Sequence, residues 1–191
     1  MIKILITQAG TGWSGLTKKE QAQWLSDAGK ELLAQGVSQW FGVRWDSGEE
    51  KNRELATERN ACGKPFLVRH SEIHFNISHS GSLAACGFSG EPLGLDIQQC
   101  AAADYFRMAD RFYTKADREL LRQTEETERE KVFYQIWTKE ESYAKWLGTA
   151  LPKSIGKENK EGFCRWFEPM PGYQGAVWTG KPEEIEIQWI F

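Results

Sequence analysis

The chain has 191 residues with 24 Lys and Arg against 27 Asp and Glu, a formal charge of −3, so no overall field would draw it to a nucleic acid or an anionic membrane. An apolar share of 40% beside 27% charged residues excludes a disordered chain and fits a globular protein with a proper core. Cys62, Cys86, Cys100 and Cys164 show neither C-x-x-C spacing nor the density of a disulfide scaffold, which points to plain thiols in a reducing cytoplasm.

The start, "MIKILITQAG", has an apolar run of three residues after Lys3. That is too short for a signal-peptide core or a membrane span, and it reads as a first strand. Leu16, Trp24, Leu25, Ala28, Leu32 and Leu33 then recur in helical rhythm, predicting helices over 17–40 with an interruption at Gly29. The polar stretch "DSGEEKNRELATERNACGKP" reads as a connection entering an extended segment at Gly63-Lys64-Pro65.

From Ile73 the period becomes two, with Phe75 and Ile77 on one face and Asn76 and Ser78 on the other. "SLAACGFSG" and "PLGLDIQ", separated by the turn signal Gly90-Glu91-Pro92, predict two more strands adjacent in one antiparallel sheet. Helical segments follow over Ala102–Arg111 and Ala116–Gly148, and "GFCRWFEP", "YQGAVWTG" and "EEIEIQWIF" end the chain as strands. Helix, strands, helices, strands in that order predicts an α+β protein of two similarly built halves, 1–98 and 99–191.

Three places could carry chemistry. In "PLGLDIQ", alternation puts Leu93, Leu95 and Ile97 on one face and Gly94, Asp96 and Gln98 on the other; Asp96 is either a surface carboxylate or a functional one held on a rigid strand. On an ideal helix of about 100° per residue, Val132, Phe133, Ile136, Trp137, Tyr143, Ala144 and Leu147 form one apolar arc, and Glu141 and Lys145 sit one turn apart beyond its edge. That spacing suits a surface ion pair equally well. Glu140 falls near the middle of the arc, where a lone charge is expensive, so a partner, a cation or a rotated helix is needed. "FNISHSGS", from Phe75 to Ser82, gathers hydroxyls, an imidazole and backbone N–H groups in a glycine-containing turn suited to phosphate oxygens; no G-x-S-x-G elbow supports a serine hydrolase.

Taken in order, Gly63-Lys64-Pro65, "FNISHSG", "LGLDIQ" and "WTKEESYAKWLG" resemble the phosphopantetheinyl transferases of the Sfp type, over residues 60–151. That family's signatures run G-K-P, F-N-x-S-H-S, (I/L)-G-(I/V)-D-(I/V)-E and W-x-x-K-E-(A/S)-x-x-K-x-x-G-x-G-L, and "RFYTKAD" looks like its F-(F/Y)-(S/T) segment. The resemblance implies transfer of the 4′-phosphopantetheine arm of coenzyme A to a serine of an apo acyl, peptidyl or aryl carrier protein. It implies a pseudo-dimer of two α+β halves with the active site in the cleft between them, and a cytoplasmic monomer is expected.

By the same resemblance Asp96 and Glu141 are Mg²⁺ ligands, Lys145 stabilises the leaving ADP, and Lys64, Ser78 and His79 lie at the cofactor's phosphates. Lys30 and Arg44 are the cations placed for the 3′-phosphate. Hard carboxylate oxygens with phosphate and water are what Mg²⁺ requires. The sequence departs from the pattern in three places. Gln98 stands at the third metal position in place of an acid, Glu140 replaces a lysine with Lys139 one place earlier, and Ala150 replaces the second glycine. These leave open a degenerate relative that binds coenzyme A or carriers without transfer, or a metal-dependent phosphohydrolase. They also predict that Glu140→Lys, which restores the family residue, preserves activity.

Overall fold

The computed structural model describes residues 1–43, 55–149 and 159–191. The chain runs β1 (Ile2–Gln8), α1 (Lys18–Phe41), β2 (Thr57–Arg59), β3 (Pro65–Leu67), β4 (His74–Ser80), β5 (Leu83–Ser89), β6 (Leu93–Gln99), α2 (Tyr105–Phe112), α3 (Lys115–Gln123), α4 (Glu126–Leu147), β7 (Phe163–Phe167), β8 (Tyr173–Thr179) and β9 (Ile185–Ile190). Strand order is β4-β5-β1-β9 in one sheet and β6-β8-β7 in another, with β2 and β3 forming a separate hairpin. The protein is thus α+β. The boundary expected at residue 98 falls at the end of β6, and β9 returns from the far end of the chain to pair in parallel with β1.

β6 does not join the sheet of β4 and β5, as the repeated short strands suggested. Leu93, Leu95 and Ile97 pack with Ile2, Ile4, Ile6 and Ala85 in one buried cluster. β6 is therefore laid face-on against the first sheet, because burying three large apolar side chains outweighs adding an edge strand.

Helix α1 covers the opposite face of that sheet through Leu25, Leu32, Leu33 and Val37. Its start is fixed by a capping box between Thr17 and Glu20, which satisfies orphan N–H groups at both residues. The interruption expected at Gly29 does not occur. A Cβ there would come within 2.8 Å of Ile77 Cγ2, so this glycine serves close helix–sheet contact.

The second long helix predicted from the sequence is two helices, α3 and α4. They part at Thr124, whose backbone turns extended (φ −74°, ψ 133°) while its N–H and its Oγ1, the latter at 2.7 Å, both donate to Leu120 O. "RFYTKAD" is the junction before α3. Tyr113 OH donates to Phe133 O at 2.8 Å, and Thr114 caps α3 by accepting from Asp117 N at 3.0 Å. No helix among the described residues is long and apolar enough to cross a membrane.

One contact decides how α4 lies on β6. A Cβ on Gly94 would run into Ser142 O and Trp146 N of the helix backbone, so only glycine lets the two elements come this close. Gly94→Ala is expected to cost about 1–3 kcal/mol by overpacking, read as a lower melting temperature; an unchanged melting point would show that α4 and β6 do not depend on this close approach.

Candidate active site

Alternation on β6 puts Asp96 on the face that α4 covers, with 2% of its surface exposed. Asp96 Oδ1 accepts from Ser78 Oγ and Lys145 Nζ, both at 2.8 Å, and Oδ2 accepts from Gln98 Nε2 at 3.2 Å. Lys145 also donates to Leu95 O and Ser78 Oγ, both at 3.0 Å. Its three N–H groups thus all meet oxygen.

Glu141, one turn before Lys145, completes the cluster. Burial, then the neighbouring Asp96 carboxylate, raise its pKa to about 7 against the opposing pull of Lys145. Two carboxyls crowded in this way suit a hard divalent cation, since both offer carboxylate oxygens as donors. Among the described residues no third histidine, cysteine or acid joins them. Gln98 turns its amide N–H toward Asp96 and its Oε1 toward Ser80 Oγ at 3.1 Å.

Lys145 connects this cluster to a cavity of about 600 Å³, a volume suited to a large organic ligand. Helix α1 contributes Leu25, Lys30 and Leu33 to its wall; the β2–β3 hairpin contributes Thr57, Arg59 and Lys64; β4 contributes Phe75 and His79. Lys145, Gly148 and Thr149 close the end at α4. Among the described residues the buried Thr149 Oγ1 has no hydrogen-bond partner, a polar atom a ligand could satisfy.

Lys30, Lys64, His79 and Lys145 therefore share one cavity, whereas Asp96 and Glu141 sit behind Lys145. Arg44 and Ala150 lie outside the described residues. Lys30 pairs with Asp27 at 3.0 Å and stays largely exposed. Lys64 donates to Leu93 O at 2.7 Å and to Trp146 O at 3.4 Å, and burial lowers its ammonium pKa to about 8. His79 is held below its ordinary value by burial and then by Lys145, so at neutral pH it is a neutral hydrogen-bonding ring and not a cation.

Arg59 is the cavity cation that sequence reasoning missed. Its Nη1 donates to Gly63 O at 2.7 Å across the hairpin turn; reading that segment as a connection hid it, and a basic residue four places before Gly63 was the available signal.

The "SHSG" segment is not an open phosphate loop. Ser78, His79 and Ser80 are paired with Ala85, Ala84 and Leu83 of β5, so their strand backbone cannot form an anion nest. Ser78 Oγ accepts from Ile97 N at 3.2 Å and Lys145 Nζ at 3.0 Å while donating to Asp96 at 2.8 Å, which uses the whole bonding capacity of a hydroxyl.

Glu140 is buried, with 1% of its surface exposed, as the helical wheel requires. Its partner is Lys160, which donates to Glu140 Oε1, with Lys139 at 3.9 Å and Asp117 bound to Lys139 at 2.6 Å. The burial that the wheel left unexplained is thus met by a protein cation.

Between β6 and α3, Tyr105, Met108 and Phe112 pack into the cluster around Phe133. Phe106 remains 39% exposed, with the Arg129 guanidinium 5.1 Å from its ring centroid.

Residues 92–169 match the model of the 4′-phosphopantetheinyl transferase superfamily. The chain is similar to the 4′-phosphopantetheinyl transferase Sfp of Bacillus subtilis (28% identical over 63% of this chain and 61% of that protein). It is also similar to the 4′-phosphopantetheinyl transferase gsp of Aneurinibacillus migulanus (32%, covering 52% and 41%) and to HetI of a Nostoc species (30%, covering 66% and 52%). The matched stretch spans less than two thirds of the length of each of these relatives.

Proposed function

We propose that the chain, whose residues 92–169 match the 4′-phosphopantetheinyl transferase superfamily, acts as that family does and moves the 4′-phosphopantetheine arm of coenzyme A onto a serine hydroxyl of an apo acyl, peptidyl or aryl carrier protein. The observation that supports this most is the sharing of Lys145 between a cation-lined cavity and the Asp96–Glu141 acid pair. Two halves, 1–98 and 99–191, arranged as a pseudo-dimer around that cleft, and a monomer acting in the cytoplasm, belong to the same proposal.

Coenzyme A lies in the cavity with its phosphates toward Lys30, Arg59, Lys64 and His79 and its diphosphate toward Lys145. Arg44 is proposed as a further cation on the cofactor. Asp96 and Glu141, with Gln98 beside them, would hold Mg²⁺, and the ion when bound would supply neutralisation of the diphosphate charge. The carrier serine oxygen forms a bond to the phosphorus bearing the arm, and the bond to the adenosine-side oxygen breaks. The electron pair leaves with 3′,5′-ADP. Glu141, one turn from Lys145 on α4, takes the serine proton. Lys145 stabilises the departing oxygen, where preorganised charge counts most.

Phe106, with Arg107 and Arg111 exposed on the same helix, offers an apolar contact among cations for an acidic carrier helix. Phe106→Ser is expected to raise KM for the carrier severalfold and leave KM for coenzyme A unchanged; equal change in both would remove this surface from the docking site.

Incubation with coenzyme A, Mg²⁺ and a panel of apo carriers tests the function by intact mass. A gain equal to the arm supports transfer. Binding of coenzyme A with no gain on any carrier would make the chain a non-catalytic relative, and cleavage of coenzyme A without a carrier would make it a phosphohydrolase.

A further inference from the structure

β4 and β6 are edge strands of different sheets, and they face each other. The free edge of β6 carries the N–H groups of Leu95, Ile97 and Gln99, which in a buried setting must find acceptors. Among the described residues no backbone strand supplies them. Asn76 Oδ1 accepts from Leu95 N at 2.8 Å, Ser78 Oγ from Ile97 N at 3.2 Å and Ser80 Oγ from Gln99 N at 2.9 Å. Alternate side chains of β4 thus stand where a neighbouring strand's carbonyls would stand in a continuous sheet.

We propose that Asn76, Ser78 and Ser80 form a side-chain seam joining the two sheets, and that they are positioning residues for Asp96 and Lys145. The role in transfer rests on the function proposed above; the seam itself does not.

The chemistry explains why side chains do this and a backbone ladder could not. A carbonyl only accepts, whereas a hydroxyl accepts an N–H and still has a proton and a second lone pair. Ser78 uses its proton on Asp96 Oδ1 at 2.8 Å and its remaining lone pair on Lys145 Nζ at 3.0 Å. Ser80 similarly donates to Gln98 Oε1 at 3.1 Å, whose amide N–H then reaches Asp96 Oδ2 at 3.2 Å. Both oxygens of Asp96 are therefore oriented, directly or through Gln98, by the residues that satisfy the edge of β6. Asn76 and Ser78 are 5% and 4% exposed, so water does not compete for these bonds.

A seam and a cofactor ligand differ in what Ser78→Ala changes. If Ser78 positions Asp96 and Lys145, kcat falls about tenfold or more, the worth of one buried hydrogen bond, with KM for coenzyme A within about twofold. Ser78→Thr, which keeps the hydroxyl, restores most of the rate. Amide hydrogen exchange without cofactor reads the seam independently of activity. In the wild type Leu95, Ile97 and Gln99 are expected to be protected together, and Ser78→Ala is expected to speed exchange at Ile97 about tenfold. Ser80→Ala, at the less buried end, is expected to release Gln99 alone and serves if the first variant does not fold.

Rapid exchange at the three amides in the wild type would overturn the seam. An effect of Ser78→Ala confined to KM for coenzyme A would overturn the positioning role. If no carrier is modified by the wild type, the exchange pattern still decides the seam, so the two failures are distinguishable.

Discussion

Glu141→Gln is expected to lower arm transfer by about three orders of magnitude and, in cation-free buffer at pH 8, to raise the melting temperature. The gain in stability follows from the direction of the titration. The folded protein holds the Glu141 proton up to a pKa of about 7, against 4.5 for the free side chain. Between those values the folded state binds more protons than the unfolded one, so the stability this group contributes falls as pH rises from about 4.5 and is fully lost above about 7. Glutamine carries no charge to desolvate and nothing for Asp96 to repel. Allowing for the part of the side chain that water still screens, the gain is about 1–2 kcal/mol, or about 2–8 °C for a chain of this size, and it vanishes near pH 4.5. Thermal melts of both proteins across pH in a chelating buffer check it. A variant destabilised at pH 8, or one that keeps transferring, would show that Glu141 belongs to the fold and not to the chemistry.

Glu140→Lys is expected to have the largest effect on folding, although the family pattern places a lysine there. Glu140 is 1% exposed, bound by Lys160, with Lys139 at 3.9 Å. A lysine would bring three ammonium groups together where water cannot screen them and leave Lys160 without its carboxylate. Removing one member of a buried pair costs about 3–5 kcal/mol before like-charge repulsion is added. The protein should melt at least about 6 °C lower or fail to accumulate folded. The sequence-based expectation that this change preserves activity is therefore replaced. Glu140→Gln keeps an oxygen for Lys160 and should lose less. Chemical denaturation of the two variants checks the order, and a fully stable Glu140→Lys would contradict the buried network.

The parts of the site that a single element determines were legible in the sequence. Period-two alternation placed Asp96 opposite Leu95 and Ile97, and the helical wheel placed Glu140 in the apolar arc of α4 and Glu141 at its edge. What depended on distant pairing was not. The cation beside Glu140 is Lys160, well beyond the end of α4. The seam of Asn76, Ser78 and Ser80 looks in sequence like the wet face of an ordinary strand, because nothing local says that β6 leaves the sheet of β4 and β5 and presents a bare edge to it. Gly29 carried a helix-breaking signal whose real cause, contact with Ile77, lies in tertiary packing. Arg59 was hidden because a three-residue strand such as β2 is too short to show a period.

We assign the two adjacent glutamates of α4 to different tasks, Glu141 to the chemistry and Glu140 to the fold. This assignment is tested most directly by measuring arm transfer from coenzyme A to an apo carrier, at saturating Mg²⁺ and at a temperature where all proteins are folded, for the wild type, Glu140→Gln and Glu141→Gln. The expected result is transfer by Glu140→Gln within severalfold of the wild type and none detectable by Glu141→Gln. Transfer retained in Glu141→Gln and lost in Glu140→Gln would contradict it and move the catalytic role one residue back along the helix.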